Sequence, residues 1–351
     1  MRTMGGGSMR SLRSAAAVTV CALGVATAIA VPAMMDDGGD ADSKGGAPRP
    51  QTMRADAEAD AEAEAAADGC RDPEASLRPS SASGPAIKRI KNREVNGHKL
   101  NKLIAGVDQN SYRWGYRDPA TGDLTGFDID LVRAIAEDIF GDPDAVIFRT
   151  IPTSQRIKAL QQGKVDVVVR TMTINCDRIK DVAFSTAYFQ AGQQVLVADD
   201  SSITGYNKTL RGKRVCTAQG STAEAELDKP DTGAEHLGAI KVKPVPNQLD
   251  CLVRLQLGQV DAVITDNALA AGQAAQDPSV KLVGSRFTDE FYGVAMNKDD
   301  DDLVRRVNKV LENYRQGGAG SPWMQAYQKW LAKDFSTAQE NPVPPAPEYK
   351  D

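Results

Sequence analysis

Hydrophobic positions along this chain alternate between two spacings, and the alternation occurs twice. In RIKALQQGKVDVVVRT, residues 156–171, apolar residues fall at helical spacing up to Gly163. A Val-Asp pair, Val165 and Asp166, and a short, wholly apolar run, Val167 to Val169, follow. CLVRLQLGQVDAVITD, residues 251–266, repeats the plan with Gly258 at the break. A helix closed by glycine and feeding a strand buried on both faces is the building unit of a parallel α/β sheet. Its recurrence predicts an α/β protein of two similar Rossmann-like lobes. KLIAGVD (102–108) reads as a strand and GFDIDLVRAIAEDIFG (126–141) as a helix. GKRVCTAQGSTAEAEL (212–227) reads as strand, loop and helix, and 302–335 as helical, with Pro322 in a first turn. Two apolar strands without an attached helix, Gln193–Ala198 and Phe291–Met296, are expected to be the crossings between lobes. Lobe 1 is then 86–195 plus 291–335, and lobe 2 is 196–290. Residues 336–351, rich in proline, form an extended tail.

Composition changes the picture at the N-terminus. Residues 1–35 carry Arg2, Arg10 and Arg13 ahead of an uncharged Ala/Val-rich run with small-residue cleavage sites at ATAIA. This segment serves either as an export signal or as a retained membrane anchor. Cys21 follows Val20, a poor context for lipid attachment. Residues 36–85 are acidic and short of large apolar side chains, which predicts a disordered tether. The chain is therefore expected outside the cytoplasm, exported and cell-surface or membrane-associated. A net charge of −5 over 351 residues and the lack of a basic stripe exclude nucleic acid as a partner. Four cysteines beyond Cys21 allow three disulfide pairings. Cys216–Cys251 and Cys70–Cys176 are the expected ones, the second stapling the tether's end to the folded body. No cysteine spacing fits a metal, and His98 and His236 are the only histidines, so no metal or cofactor is expected.

In open α/β sheets a ligand sits beyond the carboxyl ends of the strands. Those ends offer Asp108, Arg170, Thr171, Thr173 and Arg178 in the first lobe, and Ala218–Glu224, Thr265 and Asp266 in the second. Arginine and threonine suit a carboxylate, and an ionised aspartate suits an ammonium. Facing each other across a cleft, they describe a receptor for an α-amino acid. The surface-charge reading of Arg178 and a helix-capping role for Asp266 are the plain alternatives. Asp166 and Asp261, at the opposite sheet edge, read as turn residues.

GFDIDLVRAIAE, ALQQGKVDVVV, TMTINCDRIKDVAFSTAYF, GKRVCTAQGSTAEAEL, GQVDAVITDNA and YGVAMNKDDDDLVRRVNKVL occur in this order from about Lys99 to Leu331. The ordered set resembles the extracytoplasmic binding proteins of polar amino-acid ABC importers. The resemblance implies a type II periplasmic-binding-protein-like fold, two lobes joined by two hinge strands and closing over one ligand. It also implies a monomer that binds rather than transforms its solute and delivers it to ABC permease subunits. Within it, Arg178 corresponds to the residue that grips the ligand α-carboxylate, with Thr173 as hydroxyl partner and the N–H of Thr222 reaching the same group. Thr171 corresponds to a main-chain contact for the amino group and Asp266 to the ammonium acceptor. Arg156 matches an arginine that meets the side-chain carboxylate in acidic-amino-acid binders. With Arg170 nearby, this favours glutamate, then aspartate or glutamine. Ser111 and Thr153 replace ligand-stacking aromatics, leaving Tyr112, Trp114 or Tyr188 to cover the pocket, and Ala218 replaces a lysine found in some glutamine binders. A tethered sensor is the alternative function. A dehydratase or lyase on the same fold would have only Asp108 and Asp266 for acid–base work.

Overall fold

The computed structural model describes residues 70–335 and 343–351. The expected signal or anchor segment, Cys21 and most of the tether lie outside these residues. Among the described residues no helix is long and apolar enough to cross a membrane.

Two five-stranded sheets share one plan. In the first, Val146–Thr150, Leu103–Val107 and Val167–Val168 run parallel, followed by Ala295–Asn297 and Val182–Phe184. Ala295–Asn297 is antiparallel to both its neighbours. The second runs Ile240–Lys241, Arg214–Cys216, Ala262–Asp266, Gln193–Ala198 and Val280–Val283; Gln193–Ala198 is its antiparallel member. Each sheet is covered on both faces, which is why its central strands are continuous apolar runs rather than alternating ones.

The repeated unit accounts for this likeness. The helices Arg156–Gln161 and Gln248–Gln256 both lead to a left-handed glycine, Gly163 at φ 63° and Gly258 at φ 64°. That conformation closes a helix and would strain a side chain. The matched aspartates do the same work in each lobe. Asp166 accepts the Ile104 N–H at 2.9 Å and pairs with Arg93, while Asp261 accepts the Arg214 N–H at 2.7 Å and pairs with that guanidinium. They tie strand starts together, away from the ligand edge.

The crossings between lobes differ from the expectation. Phe189–Ala191 and Glu290–Tyr292 pair antiparallel as a short ribbon of their own. Gln193–Ala198 belongs wholly to the second sheet, and Ala295–Asn297 to the first. A long apolar strand needs cover on both faces, which a sheet interior provides and a two-stranded ribbon does not.

The stretch 70–84, within the expected tether, is held against the first lobe. Cys70 is bonded to Cys176, Ser76 Oγ donates to the Phe184 carbonyl at 2.7 Å, and Asn308 Nδ2 donates to Ser76 Oγ at 2.9 Å. The chain's end lies alongside, with Ser76 N donating to the Glu348 carbonyl and Lys350 N to that of Ser76, both at 3.0 Å. Composition argued for disorder here because so few side chains are large and apolar; the disulfide and backbone pairing hold the stretch instead.

Cys216–Cys251 lies inside the second lobe and closes a loop of sequence separation 35. Replacing both cysteines by serine should lower the unfolding free energy by roughly 3–4 kcal/mol in the chain-entropy account. Denaturant unfolding of the pure protein measures it.

Candidate functional site

The first lobe presents its cationic residues on three short segments. Val167–Val168 ends at Arg170 and Thr171, where the chain turns with Thr171 at φ 42°, a rare conformation for a β-branched residue. Asp128, only 1 % exposed, accepts the Thr171 N–H at 3.1 Å and the Tyr188 hydroxyl at 2.9 Å, and so fixes that turn. Burial pushes the Asp128 carboxyl up to about 7. Beyond the turn, Asn175 caps the helix Cys176–Asp181, accepting from the N–H of Arg178 at 2.9 Å, so that Arg178 points inward.

The arginines divide into two kinds. Arg170 pairs with Asp108 at 2.9 Å and donates to Thr153 Oγ1 at 2.9 Å. Asp108 also accepts from Gln109 N and Ser111 Oγ, so the Arg170 charge is met by a carboxylate that is itself fully held within the protein. Arg156 and Arg178 have no carboxylate partner among the described residues. Arg156 donates to the carbonyls of Thr153 (2.9 Å), Gly220 (3.1 Å) and Arg170 (3.4 Å). Arg178 donates to those of Thr173 (2.7 Å) and Gly220 (3.3 Å). Both are buried. Burial lowers the pKa of each, for Arg156 well below its ordinary value, with repulsion from Arg178 and Arg170 adding to the effect. Two desolvated guanidiniums turned on one carbonyl make an anion site. A cavity of about 320 Å³ opens beside them, bounded across the cleft by Gln219, Gly220 and Glu224.

The opposite pole is carboxylate. Asp266 ends the strand Ala262–Asp266, and although it stands at the N-cap of Asn267–Gln276 its side chain makes no capping bond. It accepts instead from Gln193 Nε2 and the Tyr292 hydroxyl. Beside it lies Glu290, on the hinge strand and buried. Gln193 Nε2 also donates to Glu290 Oε1 at 2.8 Å, so one amide bridges two carboxylates. Burial, and then the charge of Glu290, raise the Asp266 carboxyl to about 7. The two poles are linked, since Arg178 holds the Thr173 carbonyl while the Thr173 hydroxyl donates to Glu290 at 2.5 Å.

All eight sequence-expected ligand residues lie at this junction of lobes or directly behind it. Arg156 and Arg178 line the cavity, and Thr173, Thr222 and Asp266 belong to the hydrogen-bonded cluster around Glu290 and Gln193. The Thr171 N–H is held by Asp128, and Arg170 and Asp108 form an ion pair of their own. Glu290 and Gln193 were not anticipated. Of the aromatic residues expected to cover a ligand, Tyr188 and Trp114 are buried in the first lobe's aromatic cluster, each 1 % exposed. Trp114 reaches the second lobe through its indole N–H, which donates to the Ala268 carbonyl at 3.2 Å. Tyr112 is half-buried and packs edge-on against Tyr116.

Comparison with known proteins gives a consistent result. Residues 103–333 match the family described as bacterial extracellular solute-binding proteins, family 3. The chain is 33 % identical over 261 residues to the ABC transporter glutamine-binding protein GlnH of Bacillus subtilis, covering 74 % of this chain and 92 % of that one. It is 28 % identical over 250 residues to the glutamate-binding protein GluB of Corynebacterium glutamicum, covering 68 % and 80 %. Among solved structures, an ancestral arginine-binding protein bound to glutamine matches with TM-score 0.59 at 38 % identity, covering 67 % of this chain and 99 % of that chain. The holo arginine-binding protein ArgBP of T. maritima matches with TM-score 0.56 at 31 % identity, covering 66 % and 96 %.

The raised Asp266 pKa has a signed consequence for stability. Between about pH 4 and pH 7 the folded protein retains a proton that the unfolded chain releases, so this group's contribution to stability falls as pH rises through that window. Asp266→Asn removes the effect. The variant should be more stable than the parent at pH 8, by on the order of 2–4 kcal/mol, and nearly equal to it below pH 4. Paired thermal melts across pH test this.

Proposed function

Because the chain belongs to the bacterial extracellular solute-binding proteins of family 3, which bind solutes and are not enzymes, we propose that its amino-acid ligand is L-glutamate, with aspartate and glutamine as weaker competitors. Amino-acid binding for ABC transport is the function of the family. What carries the choice of ligand is the pair of buried guanidiniums, Arg156 and Arg178, lacking a carboxylate partner among the described residues. One takes the α-carboxylate, and the second is left for another anion at the ligand's far end. Arg178, on the helix Cys176–Asp181, serves the α-carboxylate, and Arg156 the side chain. Asp266 receives the ammonium.

Charge balance supports glutamate. With Arg170 neutralised by Asp108, the cleft sets two guanidiniums against Asp266 and Glu290. Burial holds Asp266 partly neutral near pH 7, so the two guanidiniums are not fully offset even with Glu224 at the cavity's rim, and a ligand with a second carboxylate is accommodated. The relatives named for glutamine and for glutamate make glutamine the natural rival.

The protein acts as a monomer on the extracytoplasmic side and hands the amino acid to ABC permease subunits. Closure of the lobes about the ribbon of Phe189–Ala191 and Glu290–Tyr292 traps the ligand, with Arg156 and Arg178 reaching Gly220 across the cleft.

Titration calorimetry with L-glutamate, L-aspartate and L-glutamine tests the assignment. Glutamate should bind in the micromolar range or tighter. Arg178→Ala should weaken all three ligands by at least about 100-fold, since a charged hydrogen-bond pair is lost. Arg156→Ala should weaken glutamate about 10-fold more than glutamine. Tighter glutamine binding in the parent protein, with no differential effect of Arg156→Ala, would assign the ligand to glutamine instead.

A further inference from the structure

Glu290 has a hydrogen-bond environment that constrains what its neighbours can do. Its side chain is 5 % exposed, and both oxygens accept two hydrogen bonds. Oε1 takes Gln193 Nε2 at 2.8 Å and Thr288 Oγ1 at 3.1 Å. Oε2 takes Thr173 Oγ1 at 2.5 Å and Thr222 Oγ1 at 2.8 Å. A carboxylate has about four acceptor positions, so Glu290 is saturated and has none left for a ligand.

The effect falls on the two threonines. A hydroxyl carries one hydrogen, and in Thr173 and Thr222 that hydrogen is committed to Glu290. Each hydroxyl can then only accept from a third partner. The threonines come from different lobes, Thr173 beyond the strand Val167–Val168 and Thr222 from the first turn of the helix Thr222–Leu227. The rest of the cluster has the same polarity. Gln193 presents its amide nitrogen to Asp266, Glu290 and Thr222; the reverse orientation would set its oxygen against two carboxylates. Its hydrogens are therefore used within the cluster, and its Oε1 is buried with no partner among the described residues.

We propose that Glu290 is a positioning residue that locks the Thr173 and Thr222 hydroxyls as acceptors and so dedicates this end of the cleft to a hydrogen-bond donor, the α-ammonium of the ligand. The inference rests on the reading of the cleft as an amino-acid receptor and deepens it. It moves the Thr173 hydroxyl from the carboxylate end, where the sequence had put it, to the ammonium end, and places the Thr222 hydroxyl beside it. Asp266 supplies the charge there, and the hydroxyls fix direction. An α-hydroxy acid brings one donor hydrogen where an ammonium brings three, and it leaves these acceptors unfilled.

Glu290→Gln provides a sharp test, because the new amide has one favourable orientation. Its oxygen must face Gln193 Nε2 and Thr288, since the opposite choice would oppose two amide nitrogens. Its nitrogen then faces both threonines and donates to them, freeing their hydrogens toward the ligand. The substitution inverts the polarity of the subsite with almost no change in volume.

Calorimetry on the full protein would compare L-glutamate with (S)-2-hydroxyglutarate, and L-glutamine with its 2-hydroxy analogue, for the parent, Glu290→Gln and Thr222→Ala. The parent should prefer the amino compound by at least about 100-fold. Glu290→Gln should reduce that preference at least 10-fold. Thr222→Ala, which leaves Glu290 in place, should reduce it several-fold. A general loss of structure weakens both members of a pair alike and leaves the ratio unchanged. If the parent binds glutamate or glutamine but the ratio is the same in both variants, the role of Glu290 is refuted and the amino-acid reading stands. If the parent binds neither amino acid, both readings fall. Should Glu290→Gln not fold, the ratio in Thr222→Ala decides: a reduced ratio supports the proposal, and an unchanged one overturns it.

Discussion

The structure depends on keeping buried charge of opposite sign apart. Arg156 and Arg178 on one side, and Asp266 and Glu290 on the other, are all removed from water, yet no direct ion pair joins the two sets. Taking an ion out of water costs several kcal/mol unless a partner compensates it. Here each set is held by neutral donors and acceptors: carbonyls for the guanidiniums, and hydroxyl and amide groups for the carboxylates. A small molecule with complementary charges at its two ends is what completes such an arrangement. Recognition of an amino acid follows from that separation, because a ligand lacking either charge would leave one buried set uncompensated.

The scaffold exists to maintain the separation. The same helix, glycine and strand are used in each lobe, so each sheet brings the ends of its parallel strands to a common edge, and Arg156 to Gly220 and Arg170 to Asn247 hydrogen bonds join the two lobes there. The ribbon between lobes carries Glu290 and Tyr292, so the hinge is itself part of the carboxylate pole. Arg170 and Asp108, paired with each other, form the floor on which the Thr171 turn rests, and Asp128 holds the turn from behind. The Cys70–Cys176 bond anchors the first residue of the helix that bears Arg178, joining the end of the tether to the ligand-gripping segment.

Much of this was legible because period and punctuation are local. Gly163 and Gly258 announce helix ends whatever surrounds them, and the apolar runs after them can only be doubly covered strands. The helix Phe127–Phe140, ended by Gly141, follows from the same reasoning. Arg178 and Asp266 were legible because each follows a buried strand at its ligand edge. Glu290 was not. An acid just before an apolar strand normally marks a solvated strand end, and its burial arises only when Phe189–Ala191 pairs with Glu290–Tyr292 across a long stretch of sequence. Gln193 was hidden for the same reason, as the first residue of an apolar strand. Asp128, in the first turn of its helix, has no local signal of its burial, which only the Tyr188 hydroxyl and the Thr171 N–H explain. Hydrogen-bond polarity is also beyond a sequence: Thr173 suggests a donor until the position of Glu290 is known.

The most direct test of the account is a crystal structure of the protein with L-glutamate. The account predicts one molecule between the lobes, its α-carboxylate within about 3 Å of the Arg178 guanidinium and its ammonium within about 3 Å of Asp266. A ligand bound the other way round, or bound outside the cleft, would contradict it.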